Sequence, residues 1–354
     1  MIRFLAILTL LQASNSGYCC SFVQLGDQRD HASAQNFDFP AGITASLVIN
    51  KRNVEKSDGH FNGAPSAASA KWVSKYGSLT FGFGPGNPAT GVNEAGLRVY
   101  RFLLGVAKYP AANTLPAIQE SLYVQYLLDT ASSIDEVVQQ TKAIQIYSPG
   151  PFSTHFVICD RSAQCVEIEA LGGKLNIHRG SDFKVAALTN TDYPRSIELL
   201  KICPTSDCRD IKTNSEWRFV KAATQVKQFR DSDFVKGTFG ILNSVNEISP
   251  DQSTPTLWTL LTHESSLETQ FYVKNTKSSN IIFKTDFKKL DYSCKTAVKV
   301  AMLKPEDPGE VALVDYSAGF QAKMDDVLGS YLATSAADVQ KWAGYSDKFT
   351  RCLE

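Results

Sequence analysis

The sequence predicts an α+β protein in which antiparallel sheets stack and helices pack outside them. Three observations carry this expectation. β-rich segments open the chain, helical segments occupy its middle, and β-rich segments return before a more polar tail. No internal repeat is present, and no linker is long enough to separate two independent domains.

Taken in order, Ser21–Leu25 reads as a strand that enters the polar turn Gly26-Asp27-Gln28-Arg29-Asp30, and Ile43–Ile49 as a further strand. Ser57–Ala70, rich in Gly, Ala and Ser, reads as a surface loop. Ser78–Phe83 and Leu97–Leu104 are strands on either side of a turn, Gly91-Val92-Asn93-Glu94-Ala95-Gly96. A helix is expected over Leu115–Asp129. A second, opened by a Ser133/Glu136 capping box, runs to Lys142. Strands return at Thr154–Ile158, Val166–Ala170 and Val185–Leu188, followed by helices over Ser215–Phe229 and around Phe239–Asn246. Trp258–Leu261, Gln270–Val273 and Ile281–Lys284 resume the β pattern, and a last helix is expected near Ala336–Trp342.

The chain of 354 residues is 43% hydrophobic and 20% charged, the balance of a globular protein. Lys+Arg and Asp+Glu both number 36, which argues against a nucleic-acid or anionic-membrane partner. Met1-Ile2-Arg3, the apolar run Phe4–Leu11 and the small or polar stretch Ala13-Ser14-Asn15-Ser16-Gly17 have the layout of a cleaved export signal. The apolar run is too short to span a bilayer and no second run approaches that length. Residues 1–18 are therefore read as a signal peptide with a short pro-segment, and the mature protein as secreted or periplasmic, with no membrane partner after processing.

Cysteine usage agrees with an oxidising compartment. Cys159 and Cys165 bracket a hairpin tip, Cys203 and Cys208 bracket a turn-rich loop, and Cys294 and Cys352 form a distal pair that could tie back the carboxyl end. Three disulfides are plausible on these positions, although spacing leaves the connectivity open. A metal site is not expected: paired CxxC motifs are lacking and His31, His60, His155, His178 and His263 are scattered. No cofactor is expected either. Cys19 and Cys20 remain over, at the end of the export signal. A cysteine at a new amino terminus carries a thiol beside an amine that titrates near 7.7–8, about the range where it can act as a base. One residue then supplies both nucleophile and general base.

Cys19-Cys20-Ser21-Phe22-Val23, followed by Ala34-Gln35-Asn36-Phe37-Asp38-Phe39, resembles the opening of the choloylglycine hydrolase family, which includes bile salt hydrolases and penicillin V acylases. Gly91-Val92-Asn93-Glu94-Ala95-Gly96-Leu97, Leu188-Thr189-Asn190, Ser215-Glu216-Trp217-Arg218-Phe219-Val220 and the closing Trp258-Thr259, Phe271-Tyr272 and Phe283-Lys284-Thr285 are similar to later family motifs in the same order. The resemblance covers residues 19–293. It implies a four-layer αββα sandwich of the N-terminal-nucleophile hydrolase type; the domain is taken as residues 19–304, and 305–354, which the resemblance does not cover, as a carboxyl extension packed on it. It also implies hydrolysis of the linear amide of an N-acylated small molecule through a thioester.

By the same resemblance Cys19 is the nucleophile, because starting there reaches Asp38 without a gap, whereas starting at Cys20 requires a deletion in the hairpin. Asp38 holds the amine. Asn190 donates its side-chain amide to the oxyanion beside a backbone N–H near Leu103, and Arg218 contributes charge-assisted bonds. Cleavage of the leader after Ser16 leaves Gly17-Tyr18 still to be removed. Cleavage after Cys19 would instead make Cys20 the nucleophile. One position departs from the family: Gln35 stands where its members carry Arg, replacing a fixed cation by a neutral donor.

Taken singly, these residues also have structural readings. Asp38 suits a turn or cap, Asn93 a positive-φ turn, Asn190 a loop, Arg218 a solvated helix face, and Cys20 a buried strand. The rival functional expectation, motivated by Gln35, is a catalytically weak or silent small-molecule-binding protein on the same fold. Assembly as a homo-oligomer stays open.

Overall fold

Residues Ser21–Gly26 (β1) send Phe22 to one side and Val23 and Leu25 to the other, and the two sides fill different cores. That alternation sets the layering of the molecule. In the computed structural model the described residues are 20–353 without 41, 60–67, 149–152, 204, 247–253, 266–267, 306–310 and 333–345. The expected signal and pro-segment 1–18, Cys19 and the expected helix Ala336–Trp342 lie outside the described residues.

After β1 come β2 (His31–Asp38), β3 (Ala45–Asn50), β4 (Glu55–Ser57), β5 (Lys71–Val73), β6 (Ser78–Gly82), β7 (Pro88–Asn93), β8 (Arg98–Leu103) and β9 (Ala117–Gln119). Two helices follow, α1 (Glu120–Thr130) and α2 (Ile134–Lys142), then β10 (Gln145–Tyr147), β11 (Thr154–Cys159), β12 (Cys165–Leu171), β13 (Lys174–Arg179) and β14 (Ala187–Leu188). The helices α3 (Tyr193–Ile202), α4 (Asn214–Gln228) and α5 (Phe234–Ser244) lead into β15 (Thr256–Glu264), β16 (Thr269–Asn275) and β17 (Asn280–Thr285). The chain closes with β18 (Lys299–Leu303), β19 (Val314–Asp315) and α6 (Ala318–Leu332).

Two large sheets result, six strands in the order β14-β1-β2-β15-β16-β17 and nine in the order β13-β12-β11-β8-β7-β6-β3-β18-β19, beside the two-stranded pairs β9-β10 and β4-β5. Neighbours within each large sheet are antiparallel. Between the sheets Phe22 and Phe37 of the first meet Phe81, Tyr100 and Phe102 of the second, with Phe37 and Phe81 edge to face at 4.6 Å. Outside the smaller sheet, Phe219, Val220 and Ala223 of α4 and Ile241 and Leu242 of α5 cover Val23, Leu25 and Ala34. Outside the larger one, Leu122 and Leu127 of α1 and Val137 of α2 cover Val99, Ile158 and Val166. Each sheet therefore buries both faces, which gives the expected α+β, four-layer αββα architecture.

Local differences from the sequence reading have physical causes. The helix expected from Leu115 begins at Glu120, because Ala117–Gln119 pairs with Gln145–Tyr147 as a two-stranded parallel ladder. The expected turn at Gly91–Gly96 starts later, because Gly91-Val92-Asn93 complete β7. Gly96 then takes φ +89°, a left-handed conformation that suits glycine. At α2 the Ser133 hydroxyl accepts from Glu136 N as expected, but the Glu136 carboxylate turns to Ser132. A complete capping box occurs instead at α4, between Thr213 and Glu216. β2, β7, β13 and α3 add elements the residue pattern had not resolved.

Disulfides join Cys159 to Cys165, Cys203 to Cys208 and Cys294 to Cys352. The last returns the tail to the body, where Phe349 is buried against Trp72, ring centroids 6.3 Å apart. Among the described residues no helix is long and apolar enough to cross a membrane.

Candidate active site

The start of β1, the end of β2, the turn after β14 and the first turns of α4 converge on one spot. Asn190 is fixed there from both sides. Downstream, Asp192 caps α3 by accepting from Arg195 N at 3.0 Å, with Pro194 in the first turn. Its neighbours are clamped to the start of α4: Thr189 Oγ1 donates to the Ser215 carbonyl at 3.0 Å, and the Thr191 and Ser215 hydroxyls share a bond of 2.7 Å.

Asn190 uses both ends of its amide. Its Oδ1 accepts from the Cys20 backbone N–H at 2.7 Å and from Arg218 Nη2 at 3.2 Å. Its Nδ2 donates to the Leu103 carbonyl at 2.9 Å, tying the turn to the end of β8 in the opposite sheet. Sequence reasoning expected a backbone N–H near Leu103 to face this site. The structure turns the Leu103 carbonyl to Asn190. An amide nitrogen carries two hydrogens, and the Leu103 carbonyl takes one of them.

Arg218 is not a solvated charge. It is fully buried, and its guanidinium holds several partners besides Asn190. Nε donates to Asn214 Oδ1 at 2.6 Å, one helical turn back, which orients the plane. Nη1 donates to the Cys20 carbonyl at 2.7 Å and to Ser21 Oγ at 2.6 Å, and lies 3.9 Å from Asp38 Oδ2. The Asp38 carboxylate, also fully buried, accepts from Thr256 Oγ1 at 2.5 Å. A buried ion pair needs hydrogen bonds to offset its desolvation; Thr256 supplies one to the carboxylate, and Asn214, Cys20 and Ser21 accept from the guanidinium.

Cys20 is 4% exposed and its side chain belongs to the apolar core between the sheets. A thiol in such surroundings is poorly nucleophilic. Gln35, on β2 and wholly buried, points across the sheet gap and donates to the Arg101 carbonyl at 2.9 Å. It therefore stitches the two sheets together beside the site. Nearby on β8, Arg101 has its guanidinium pKa lowered by burial, an effect opposed by the Glu120 carboxylate.

The structure thus gathers Asp38, Asn190, Arg218 and Leu103 around the first described residue of β1, while Cys19 lies outside the described residues. The sequence reading missed Ser21, Asn214 and Thr256. Asn214 had a usable signal, its spacing of four from Arg218 on one helix face. Thr256 had none, because its approach to Asp38 depends on β15 pairing with β2 across a long stretch of chain. Asn93 proves structural: its Nδ2 donates to the Leu128 and Ala131 carbonyls, and its Oδ1 accepts from Ala95 and Leu97 N–H.

Residues 19–197 match the family model described as linear amide C–N hydrolases, choloylglycine hydrolase family. A penicillin V acylase of Pectobacterium atrosepticum is 26% identical over 254 residues, and the match spans 62% of this chain and 62% of that relative's length. Among solved structures, a penicillin V acylase from Agrobacterium tumefaciens superposes with TM-score 0.66 at 24% identity, covering 80% of this chain and 90% of its own. A mutant conjugated bile acid hydrolase from Clostridium perfringens gives TM-score 0.63 at 16% identity, over 84% and 97% of the two chains. At these identities the structural likenesses speak for the fold.

Proposed function

Because the chain belongs to the choloylglycine hydrolase family of linear amide C–N hydrolases, we propose that it is an exported amidohydrolase that uses Cys19, freed as the amino terminus, to cleave the amide of an N-acylated small molecule. The observation that carries this reading is the convergence of Asn190, Arg218 and Asp38 on the start of β1. β1 and β2 pair with Ser21 opposite Asn36. A chain continuing upstream in that register would bring position 19 opposite Asp38. The buried, apolar setting of Cys20 supports the first cysteine as nucleophile over the second.

In this mechanism the terminal amine takes the Cys19 thiol proton, and the sulfur attacks the substrate carbonyl carbon. The second Asn190 Nδ2 hydrogen stabilises the oxyanion. The ammonium then passes its proton to the leaving nitrogen as the C–N bond breaks, leaving a thioester. Water, deprotonated by the same amine, adds to the thioester, and the carboxylic acid departs as the thiol is restored. Asp38 and Arg218 fix the amine and the turn of chain beside it. Arg218 supplies the permanent cation that Gln35 does not.

The substrate candidates are a penicillin V-like phenoxyacyl amide, a conjugated bile acid and an N-acyl homoserine lactone. The first two follow what the named relatives act on, and the third follows from the proposed export. Incubating the mature protein with all three and assaying the released amine tests the reading. Turnover of one, lost in Cys19→Ala, is expected. Binding without turnover or acylation would support a silent binding protein instead.

A further inference from the structure

β11, β12 and β13 place four ligating side chains on one sheet face. Val157 pairs opposite Glu167, and Glu167 opposite His178; His155 and Glu169 each lie two residues along their strands from that pair, so all four side chains fall on the same side. The sequence separates the two histidines by more than twenty residues; the hairpin closes that gap. One oxygen of each carboxylate and one ring nitrogen of His155 lie within 4.8 Å of one another. His155 Nδ1 is 3.3 Å from Glu167 Oε1, and His178 Nε2 is 3.1 Å from Glu169 Oε1 and 3.7 Å from Glu167 Oε2.

We propose that His155, Glu167, Glu169 and His178 form a site for a zinc-class divalent cation. Zinc bound at 2.0–2.2 Å to nitrogen and oxygen in a tetrahedron separates its ligands by about 3.3–3.6 Å, close to the spacings found. Two carboxylates and two neutral imidazoles balance a divalent charge. Among the described residues no lysine or arginine pairs with either carboxylate. Glu167 is fully buried and its Oε2 makes no hydrogen bond among the described residues, although it faces the cluster. The surrounding bonds are those of an outer ligand shell: His155 Nε2 donates to the Thr189 carbonyl at 2.9 Å, which turns the Nδ1 lone pair towards Glu167, and Glu169 Oε2 accepts from Tyr193 N at 3.1 Å. His178, with 23% of its side chain exposed, provides the route in from solvent. The ion would pin the strands to the segment that carries Asn190. His155 and the two glutamates would then act as positioning residues for the oxyanion donor, not as catalytic residues.

The test titrates chelator-treated full-length mature protein with zinc alone by calorimetry and follows the thermal midpoint. The proposal expects one equivalent bound, a raised midpoint, and weakening by about 100-fold or more in His178→Ala, whose partial exposure spares the core. Cobalt(II) added to the unaltered protein supplies a second measurement that needs no variant. Tetrahedral visible bands without thiolate charge-transfer absorption support the site. No saturable zinc binding, undiminished binding in His178→Ala, or cobalt spectra with thiolate bands would overturn it.

Discussion

Arg218 reaches from the second turn of α4 to the head of β1, where its Nη1 donates to the Cys20 carbonyl at 2.7 Å. The same guanidinium holds Ser21, Asn190 and Asn214, so one planar group sets the relative positions of strand, turn and helix. An ammonium cannot reproduce this fork. Arg218→Lys should lower kcat/KM by about 100-fold or more, equivalent to about 2.7 kcal/mol. Arg218→Met, which strands the buried Asp38 carboxylate, should also destabilise the fold by about 3–5 kcal/mol in chemical denaturation. Arg218→Lys activity within threefold of the unmodified protein would contradict this role.

In the proposed mechanism Asn190 meets the oxyanion with the Nδ2 hydrogen not given to Leu103. Asn190→Ala should reduce kcat by about 100- to 1,000-fold. Steady-state kinetics check this, with KM changing far less than kcat.

Asn93 is fully buried and anchors the turn after β7 through its side chain, with two hydrogen bonds to Leu128 and Ala131 at the end of α1 and two from Ala95 and Leu97 in the turn itself. Asn93→Ala should cost about 2–4 kcal/mol of stability, since several buried backbone groups lose their partner. Below its lowered thermal midpoint the variant should keep kcat near that of the unmodified protein. A large loss of kcat in fully folded variant would assign Asn93 to the chemistry instead.

His31 lies buried at the start of β2, its Nδ1–H donating to the Asp27 carbonyl at 3.0 Å. Burial, with the Arg98 charge adding, lowers its pKa from 6.5 to about 3. The unfolded chain therefore takes up a proton between those values and the folded one does not. The stability that neutral His31 contributes is present above pH 6.5 and lost progressively as pH falls towards 3. The expected slope from this group is at most about 1.4 kcal/mol per pH unit. Denaturation midpoints from pH 7 to about 4 should show it, and His31→Asn, which keeps a donor near Nδ1, should flatten it.

The layered fold was legible because β-rich and helical segments alternate in blocks and because ordered motifs resemble a family. Of the disulfides, Cys159–Cys165 and Cys203–Cys208 were suggested by the short loops they close, while spacing alone left the connectivity open. What stayed hidden depends on register. Ala117–Gln119 looks helical until it pairs with Gln145–Tyr147. Leu103 lies beside Asn190, but which of its backbone groups turns to that side chain follows from strand geometry that residue types do not encode. Five scattered histidines hid a cluster that exists only because β11, β12 and β13 align their alternate residues.

The most direct test of the account is the identity of the residue that becomes acylated. Mature protein mixed with substrate and quenched during turnover, then digested, would be read by mass spectrometry at its amino-terminal peptide. The account predicts a peptide that begins at Cys19 and carries the acyl group on that residue, absent from Cys19→Ala. A terminus at Gly17 in active enzyme, or an acyl group on Cys20, would contradict it.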